Sequence, residues 1–239
     1  MYLRLRANEP SDLRRAAVGG TTWSFRSRSD YWESDWVMMH SASQNPDIRA
    51  AETAEHLAWH YSFPDGAAIG GVTFAEHAEL PEGYVVEVSN GWSWFWTDAS
   101  RAHAALSASV MVVDHHDPRL LDVLQHSATA SHERDGLVPD IWLGMEVDGQ
   151  LACVAAVNVV ADSTNLQSVV TRSDFRGRGL ARTVCSHATA WSLQRATYAT
   201  LGMMSDNAIA RSIYLGLGFT CDKEFRSARF SQSAQSQAE

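Results

Sequence analysis

The chain has 239 residues and a mass of 26.3 kDa, enough for one large or two compact domains. With 45% hydrophobic residues, 20% charged residues and only 15 Gly and 6 Pro, the composition excludes collagen-like, low-complexity and wholly disordered classes. The net charge of −9 is uneven: residues 1–100 hold seven Arg against fourteen Asp and Glu, a field that repels phosphate backbones and suits an amine-bearing partner as well as solubility.

In chain order, residues 2–6 (Tyr-Leu-Arg-Leu-Arg) alternate like a short strand and lack the continuous apolar segment of a secretory signal, so the expected location is the cytoplasm. The longest apolar run, residues 151–161, is interrupted by Asn158 and is far shorter than the roughly 20 residues a membrane-spanning helix needs. Seven of the nine tryptophans lie before residue 100, as a packed core or as aromatic faces lining a substrate pocket. A helix is predicted over residues 47–61. Two strands, 84–88 and 92–97, are predicted on either side of a Ser89-Asn90-Gly91 turn.

From residue 107 the pattern sharpens. An apolar strand over 108–113 precedes Asp117-Pro118, a helix-start signal. The helix should bury Leu120, Leu121, Leu124 and Ala128 and reach Glu133 before Gly136 and Pro139 stop it. Residues 141–147 and 150–160 flank Asp148-Gly149 as a hairpin. A strand over 166–172, a helix over 179–195, a strand over 198–204, a helix over 207–217 and a strand over 219–230 complete the order β-α-β-β-β-α-β-α-β. The tail, 231–239, is composed for disorder. Cys153, Cys185 and Cys221 are odd in number and widely spaced, as expected of reduced, packed thiols.

The strand ending near Arg172 leads into Arg176-Gly177-Arg178-Gly179-Leu180-Ala181, which opens a helix. Glycines here let backbone approach a ligand, and a helix start offers unpaired N–H groups and the positive end of the macrodipole, so an anion is expected. A glycine pair alone is an ordinary strand-to-helix turn. Arg176, Gly179 and Ala181, however, resemble the pyrophosphate signature Arg-x-x-Gly-x-Ala of the GNAT superfamily, the acyl-CoA-dependent N-acetyltransferases. Asn207, Ala210, Tyr214, Gly218 and Phe219 resemble its second segment, N-x-x-A-x-x-x-Y-x-x-x-G-F. The two motifs stand about 30 residues apart, separated by one helix and one strand, and the resemblance covers about residues 107–230.

The resemblance implies acetyl-CoA as co-substrate and no metal. Backbone N–H groups of Gly177, Arg178, Gly179, Leu180, Ala181 and Arg182 would hold the pyrophosphate, with the Arg178 and Arg182 side chains adding charge. It also implies a strand splayed from its parallel neighbour, whose free groups at Val169, Val170 and Thr171 pair with the pantetheine arm, one N–H polarising the thioester carbonyl. Tyr214 resembles the general acid that protonates the CoA thiolate, and Asn207 would cap its helix and reach the cofactor. The alternatives are plain packing for Tyr214 and capping alone for Asn207. For the base, Asp162 is the first candidate and Glu133 the second. Asp114-His115-His116-Asp117 lacks a second half for a metal site, His132-Glu133 lacks the second histidine of a zinc-protease helix, and Ser186-His187 lacks a third catalytic member.

The expected fold is α/β (α+β): a mixed, mostly antiparallel sheet flanked by helices. Residues 1–106 form an accessory, acceptor-shaping domain, for which a diverged copy of the same fold is one reading, because residues 3–6 and Glu9 to Leu13 look like a strand-to-helix start. Residues 107–230 form the catalytic domain. The expected reaction is acetyl transfer to the primary amine of a small molecule (an amino acid derivative, a polyamine or an amine-bearing antibiotic) by direct attack in a ternary complex. Protein N-termini or lysines are the runner-up acceptors, and a non-catalytic acyl-CoA sensor is the alternative of another class. Met203 and Met204 leave acyl length open, nucleic acid and membrane are not expected partners, and a homodimer is compatible with the aromatic first half.

Overall fold

A computed structural model of the protein describes residues 14–18, 22–29, 34–41, 43, 45–61, 69–75, 84–132 and 138–232. The sequence-predicted strand at 2–6, the start at 9–13, Glu133 and residues 233–239 lie outside the described residues. The chain divides into two compact units. One holds Ser93–Met203 and Asn207–Asp222; the other holds the described part of Arg6–Trp92, with Met204–Asp206 and the chain from Lys223 onward.

In the C-terminal unit the strands are β6 (Met111–Val113), β7 (Ile141–Val147), β8 (Gln150–Val160), β9 (Ser163–Thr171) and β10 (Tyr198–Met204), joined in sheet order β10-β9-β8-β7-β6. The helices are α2 (Arg119–Leu124), α3 (Leu180–Leu193) and α4 (Ala208–Gly216). Neighbouring strands run antiparallel except β9 and β10, which are parallel and joined by α3 as a crossover. The hairpin β7–β8 has the predicted bounds, and Asp148 (φ 52°) and Gly149 (φ 75°) supply the two left-handed residues that its turn requires.

Strand β8 is covered on both faces, so its sequence is a continuous apolar run rather than an alternation. Ala155 and Val157 join Leu180, Val184, Cys185 and Ala188 of α3. Val154 and Ala156 join Leu120, Val123 and Leu124 of α2, with Trp142 of β7.

Two expectations for this unit need correction. The predicted strand at 108–113 is only Met111–Val113. Helix α2 ends at Leu124 rather than near 133, because the Ser127 hydroxyl accepts the N–H groups of Thr129 and Ala130 and closes a local turn in place of further helix. Its buried face is Leu120, Val123 and Leu124, while Leu121 is exposed.

In the N-terminal unit, β1 (Arg14–Val18), β2 (Thr22–Ser29) and β3 (Ser34–Ser41) pair antiparallel in sequence. Helix α1 (Pro46–Tyr61) then crosses to β4 (Ile69–Ala75), which is parallel to β3, and β11 (Thr220–Gln232) pairs antiparallel with β4. The connectivity β1-β2-β3-α1-β4 therefore repeats that of β7-β8-β9-α3-β10. The expected turn at 89–91 is instead continuous strand, β5 (Tyr84–Asp98). Gly91 serves a close approach: its carbonyl accepts the N–H of Ser205, and a Cβ there would lie 3.3 Å from the Ser205 hydroxyl.

Candidate active site

The candidate site begins where β9 and β10 part. Their register pairs run from Ser163↔Tyr198 to Leu166↔Leu201 and stop, although both strands continue, to Thr171 and Met204. Residues 167–171 thus have a strand edge facing a gap rather than a paired neighbour. On the other side, β8 pairs Val154 with Val170 and Ala156 with Gln167, so Ser168 and Val169 together oppose Ala155. This is a β-bulge, and Ser168 takes the strained φ of 50°. The Ser168 hydroxyl explains how the strain is held: it donates to the Ser131 carbonyl at 2.8 Å and accepts from the Ser131 N–H at 3.3 Å.

Past Thr171 the chain makes a 3₁₀ turn (Ser173–Phe175) and enters the glycine loop. Phe175 is buried and anchors the loop, with the Arg172 and Arg178 guanidinium groups 5.6 and 5.0 Å from its ring centre. Gly177 and Gly179 sit at φ 77° and 76°, and a Cβ at either would meet nothing within 4 Å. Gly179 is the N-cap of α3, and no side chain caps that helix. The first-turn N–H groups of α3 therefore face open space with Arg178 and Arg182 exposed beside them, a donor set that fits a pyrophosphate.

Arg176, the first residue of the motif, has a different employment. Its guanidinium donates to the Thr171 carbonyl (3.2 Å) and the His126 carbonyl (2.9 Å), tying the end of β9 to the chain that follows α2. His126 is drawn to the same corner, since its Nδ1 lies 3.1 Å from the Ser173 hydroxyl.

Tyr214 projects from α4 into the core, stacked edge-on against Phe219 and tilted against Phe95. Burial pushes its phenol well above the ordinary value, and a hydrogen bond with Cys185 adds to this, so it is a neutral proton donor. Cys153, raised by burial to about 11, accepts the Thr171 hydroxyl at 3.2 Å, and burial raises Cys185 as well. The fold thus gathers Tyr214, the two buried thiols and Thr171 at the loop end of β9.

Asn207 caps α4, its Oδ1 accepting the Ala210 N–H at 3.0 Å. The glycine of the second motif, Gly218 (φ 87°), has a packing reason: a Cβ there would collide with the Arg101 carbonyl oxygen. Val169 and Val170 lie on the unpaired stretch of β9.

Asp162 is not brought to this place. It sits in the β8–β9 turn, where its carbonyl accepts the N–H groups of Thr197 and Tyr198. Six residues of extended strand, about 20 Å, separate it from the bulge. Ser186 and His187 hold a loop, accepting the N–H groups of Ala105 and Ser107. Among the described residues no three His, Cys, Asp or Glu side chains cluster as metal ligands, and no helix is long and apolar enough to cross a membrane. Sequence reasoning missed Ser131 and Ser168, whose pairing depends on a bulge with no sequence mark of its own.

Residues 109–219 match the family model of the acetyltransferase (GNAT) family. Residues 109–219 are a GNAT acetyltransferase domain. The chain carries an acyltransferase domain, and acetyl-CoA is the co-substrate general to that family.

Similar solved structures include a GCN5-related N-acetyltransferase from Kribbella flavida (16% identity, TM-score 0.60, 98% of this chain and 93% of that chain covered). A GNAT-family acetyltransferase from Colwellia psychrerythraea (11%, 0.58, 97% and 90%) and a tandem GNAT protein from the clavulanic acid biosynthesis pathway (13%, 0.53, 95% and 86%) are also similar. At these identities the likeness is one of fold: the mostly antiparallel sheet flanked by helices is the GNAT fold. No curated protein matches the chain significantly.

Proposed function

We propose that the protein is a cytoplasmic N-acetyltransferase that moves the acetyl group of acetyl-CoA to the primary amine of a small molecule by direct attack in a ternary complex. The observation that carries this reading is the uncapped start of α3 beside the unpaired stretch of β9. The N–H groups from Gly177 to Arg182 hold the pyrophosphate, with Arg178 and Arg182 adding charge. The edge at Val169, Val170 and Thr171 pairs with the pantetheine arm, and an N–H of the strained bulge polarises the thioester carbonyl. Tyr214 protonates the departing thiolate, its phenol kept neutral by burial. Asn207 fixes the helix that carries it.

The acceptor is a cationic small amine, in the class of amino acid derivatives, polyamines or amine-bearing antibiotics, in keeping with the −9 net charge. The same charge weighs against nucleic acid and anionic membranes as partners. The N-terminal unit repeats the connectivity of the catalytic unit, which supports its reading as a diverged copy of the same fold.

Calorimetric titration with acetyl-CoA, followed by thiol release against a panel of amines, tests this reading. Micromolar binding, about −8 kcal/mol, with CoA release on one class of small amine supports it. Release only on peptides bearing a free N-terminus or lysine moves the acceptor to proteins, binding without release on any amine points to a sensor, and absence of binding overturns the cofactor site.

A further inference from the structure

Acetyl transfer needs the acceptor amine to be held with its lone pair towards the thioester. We propose that Asn165 and Gln167 of β9 are the specificity residues that hold it, their side-chain carbonyl oxygens taking the two N–H groups of a primary amine. The inference rests on the acetyl-transfer reading above and names the residues that select the acceptor.

Both residues stand where β9 and β10 part. Asn165 pairs with Thr200 one rung before the last pair, Leu166↔Leu201, and Gln167 is the first residue beyond it. Gln167 directly precedes the bulge residue Ser168, beside which the acetyl-transfer reading puts the thioester carbonyl. Strand alternation sets Asn165 and Gln167 on one face of the sheet and Leu166 on the other. The Leu166 face is closed, because Leu166, Val157, Ala199 and Leu201 are buried in one cluster with Val184 and Ala188 of α3. The amide face is open: Asn165 and Gln167 are half-buried, and the next residue of β10 on that face after Thr200 is the exposed Gly202, which has no side chain to fill the space. An acceptor therefore reaches the split from the amide side.

Hydrogen bonds decide which end of each amide is presented. The Thr200 hydroxyl donates to the Thr164 carbonyl at 2.7 Å, so towards Asn165 it can only accept. Asn165 Nδ2 lies 3.3 Å from that hydroxyl and 3.5 Å from the Thr200 carbonyl, so the nitrogen faces β10 and Oδ1 is turned away from it. Gln167 Nε2 donates to Asn158 Oδ1 at 3.2 Å, and Asn158 is the rung partner of Asn165 in β8. That bond draws the Gln167 amide back along the strand towards Asn165. Oδ1 of Asn165 and Oε1 of Gln167 are left as acceptors that no side chain occupies among the described residues. Two oxygens each about 2.9 Å from one nitrogen stand about 5 Å apart. Side chains two residues apart on a strand face start about 7 Å apart, so both oxygens can reach the same nitrogen.

A primary amine has two N–H groups and one lone pair. With both N–H groups on the amide oxygens, the lone pair is left to face the thioester carbon; a secondary amine has one N–H and leaves one oxygen unsatisfied. The seat is also uncharged. A carboxylate at either position would favour the ammonium, which has no lone pair, whereas an amide oxygen accepts an N–H of the neutral amine without that bias.

The test uses the primary amine that the wild-type protein acetylates, its N-methyl derivative, and the variants Gln167→Met and Asn165→Leu, which remove one oxygen each at nearly constant volume. The wild-type protein should prefer the primary amine by about 10-fold or more in kcat/KM. In each variant kcat/KM for the primary amine should fall about 10-fold and the preference should largely vanish. Calorimetry should show the primary amine binding the CoA-loaded variant about 10-fold more weakly, with acetyl-CoA affinity unchanged. Wild-type kcat/KM and preference in both variants overturn the proposal and leave the acetyltransferase reading standing, as does an equal loss for both amines, the mark of a merely structural role. A wild-type protein that turns over no amine overturns the reading itself and the proposal with it. If Gln167→Met unfolds, Gln167→Glu decides: its carboxylate should move the rise of kcat/KM to higher pH, and an unmoved profile counts against the seat.

Discussion

The two units carry the same β-β-β-α-β connectivity, yet their strand-to-helix junctions are chemically opposite. Between β9 and α3 the junction has two left-handed glycines, no side-chain cap and Arg176, Arg178 and Arg182 around it. Between β3 and α1 it reads Ser-Ala-Ser-Gln-Asn-Pro-Asp and caps itself: Asn45 Oδ1 accepts the Asp47 N–H at 2.9 Å, Ser43 accepts the Asn45 N–H, and Asp47 adds negative charge to the first turn. A helix start that satisfies its own donors and carries a carboxylate has nothing to offer a pyrophosphate. Topology supplies the place for an anion, and the turn residues decide whether one binds.

The largest effect on this contrast is expected at Gly179. Gly179→Glu puts a carboxylate at the open start of α3 and should weaken acetyl-CoA by about 100-fold or more, roughly 3 kcal/mol, with Gly179→Asn, a side chain that tolerates left-handed backbone, as the fold control. Retained wild-type affinity in calorimetry would place the cofactor elsewhere. The same titration should give one acetyl-CoA per chain; a stoichiometry of two would erase the distinction between the junctions.

Next comes Tyr214→Phe, which should lower kcat by about 10²-fold or more in steady-state kinetics with acetyl-CoA affinity unchanged. Full turnover would return Tyr214 to a packing role. Gly218→Ala should cost about 3 kcal/mol in urea unfolding, since the added carbon meets the Arg101 carbonyl. The smallest effect belongs to the self-capped junction: Asn45→Ala should cost about 1 kcal/mol of stability and leave acetyl-CoA affinity alone. Thiol titration at pH 8 should find Cys221 reactive and Cys153 and Cys185 slow, because burial holds the latter two thiols protonated.

Much of the catalytic unit was legible as sequence. The β7–β8 hairpin and β10 have their predicted bounds, because a clear turn pair or a compact apolar run leaves few alternatives. The C-terminal end of α2 and the course of β5 were not legible. Ser127 closes a turn where apolar spacing predicts more helix, and Ser89-Asn90-Gly91 resembles a turn while serving a close approach to Ser205.

The same division runs through the candidate site. By itself the sequence determined the glycine loop, the cap at Asn207 and the position of Tyr214 on its helix, since each depends on neighbours a few residues away. Only the tertiary structure decided that Arg176 ties β9 to the chain after α2, that Asp162 sits at the far end of the strand, and that Ser131 clamps Ser168. Those outcomes depend on strand register, and a bulge that shifts register by one residue changes which side chains meet across the sheet without altering the local pattern from which a sequence is read.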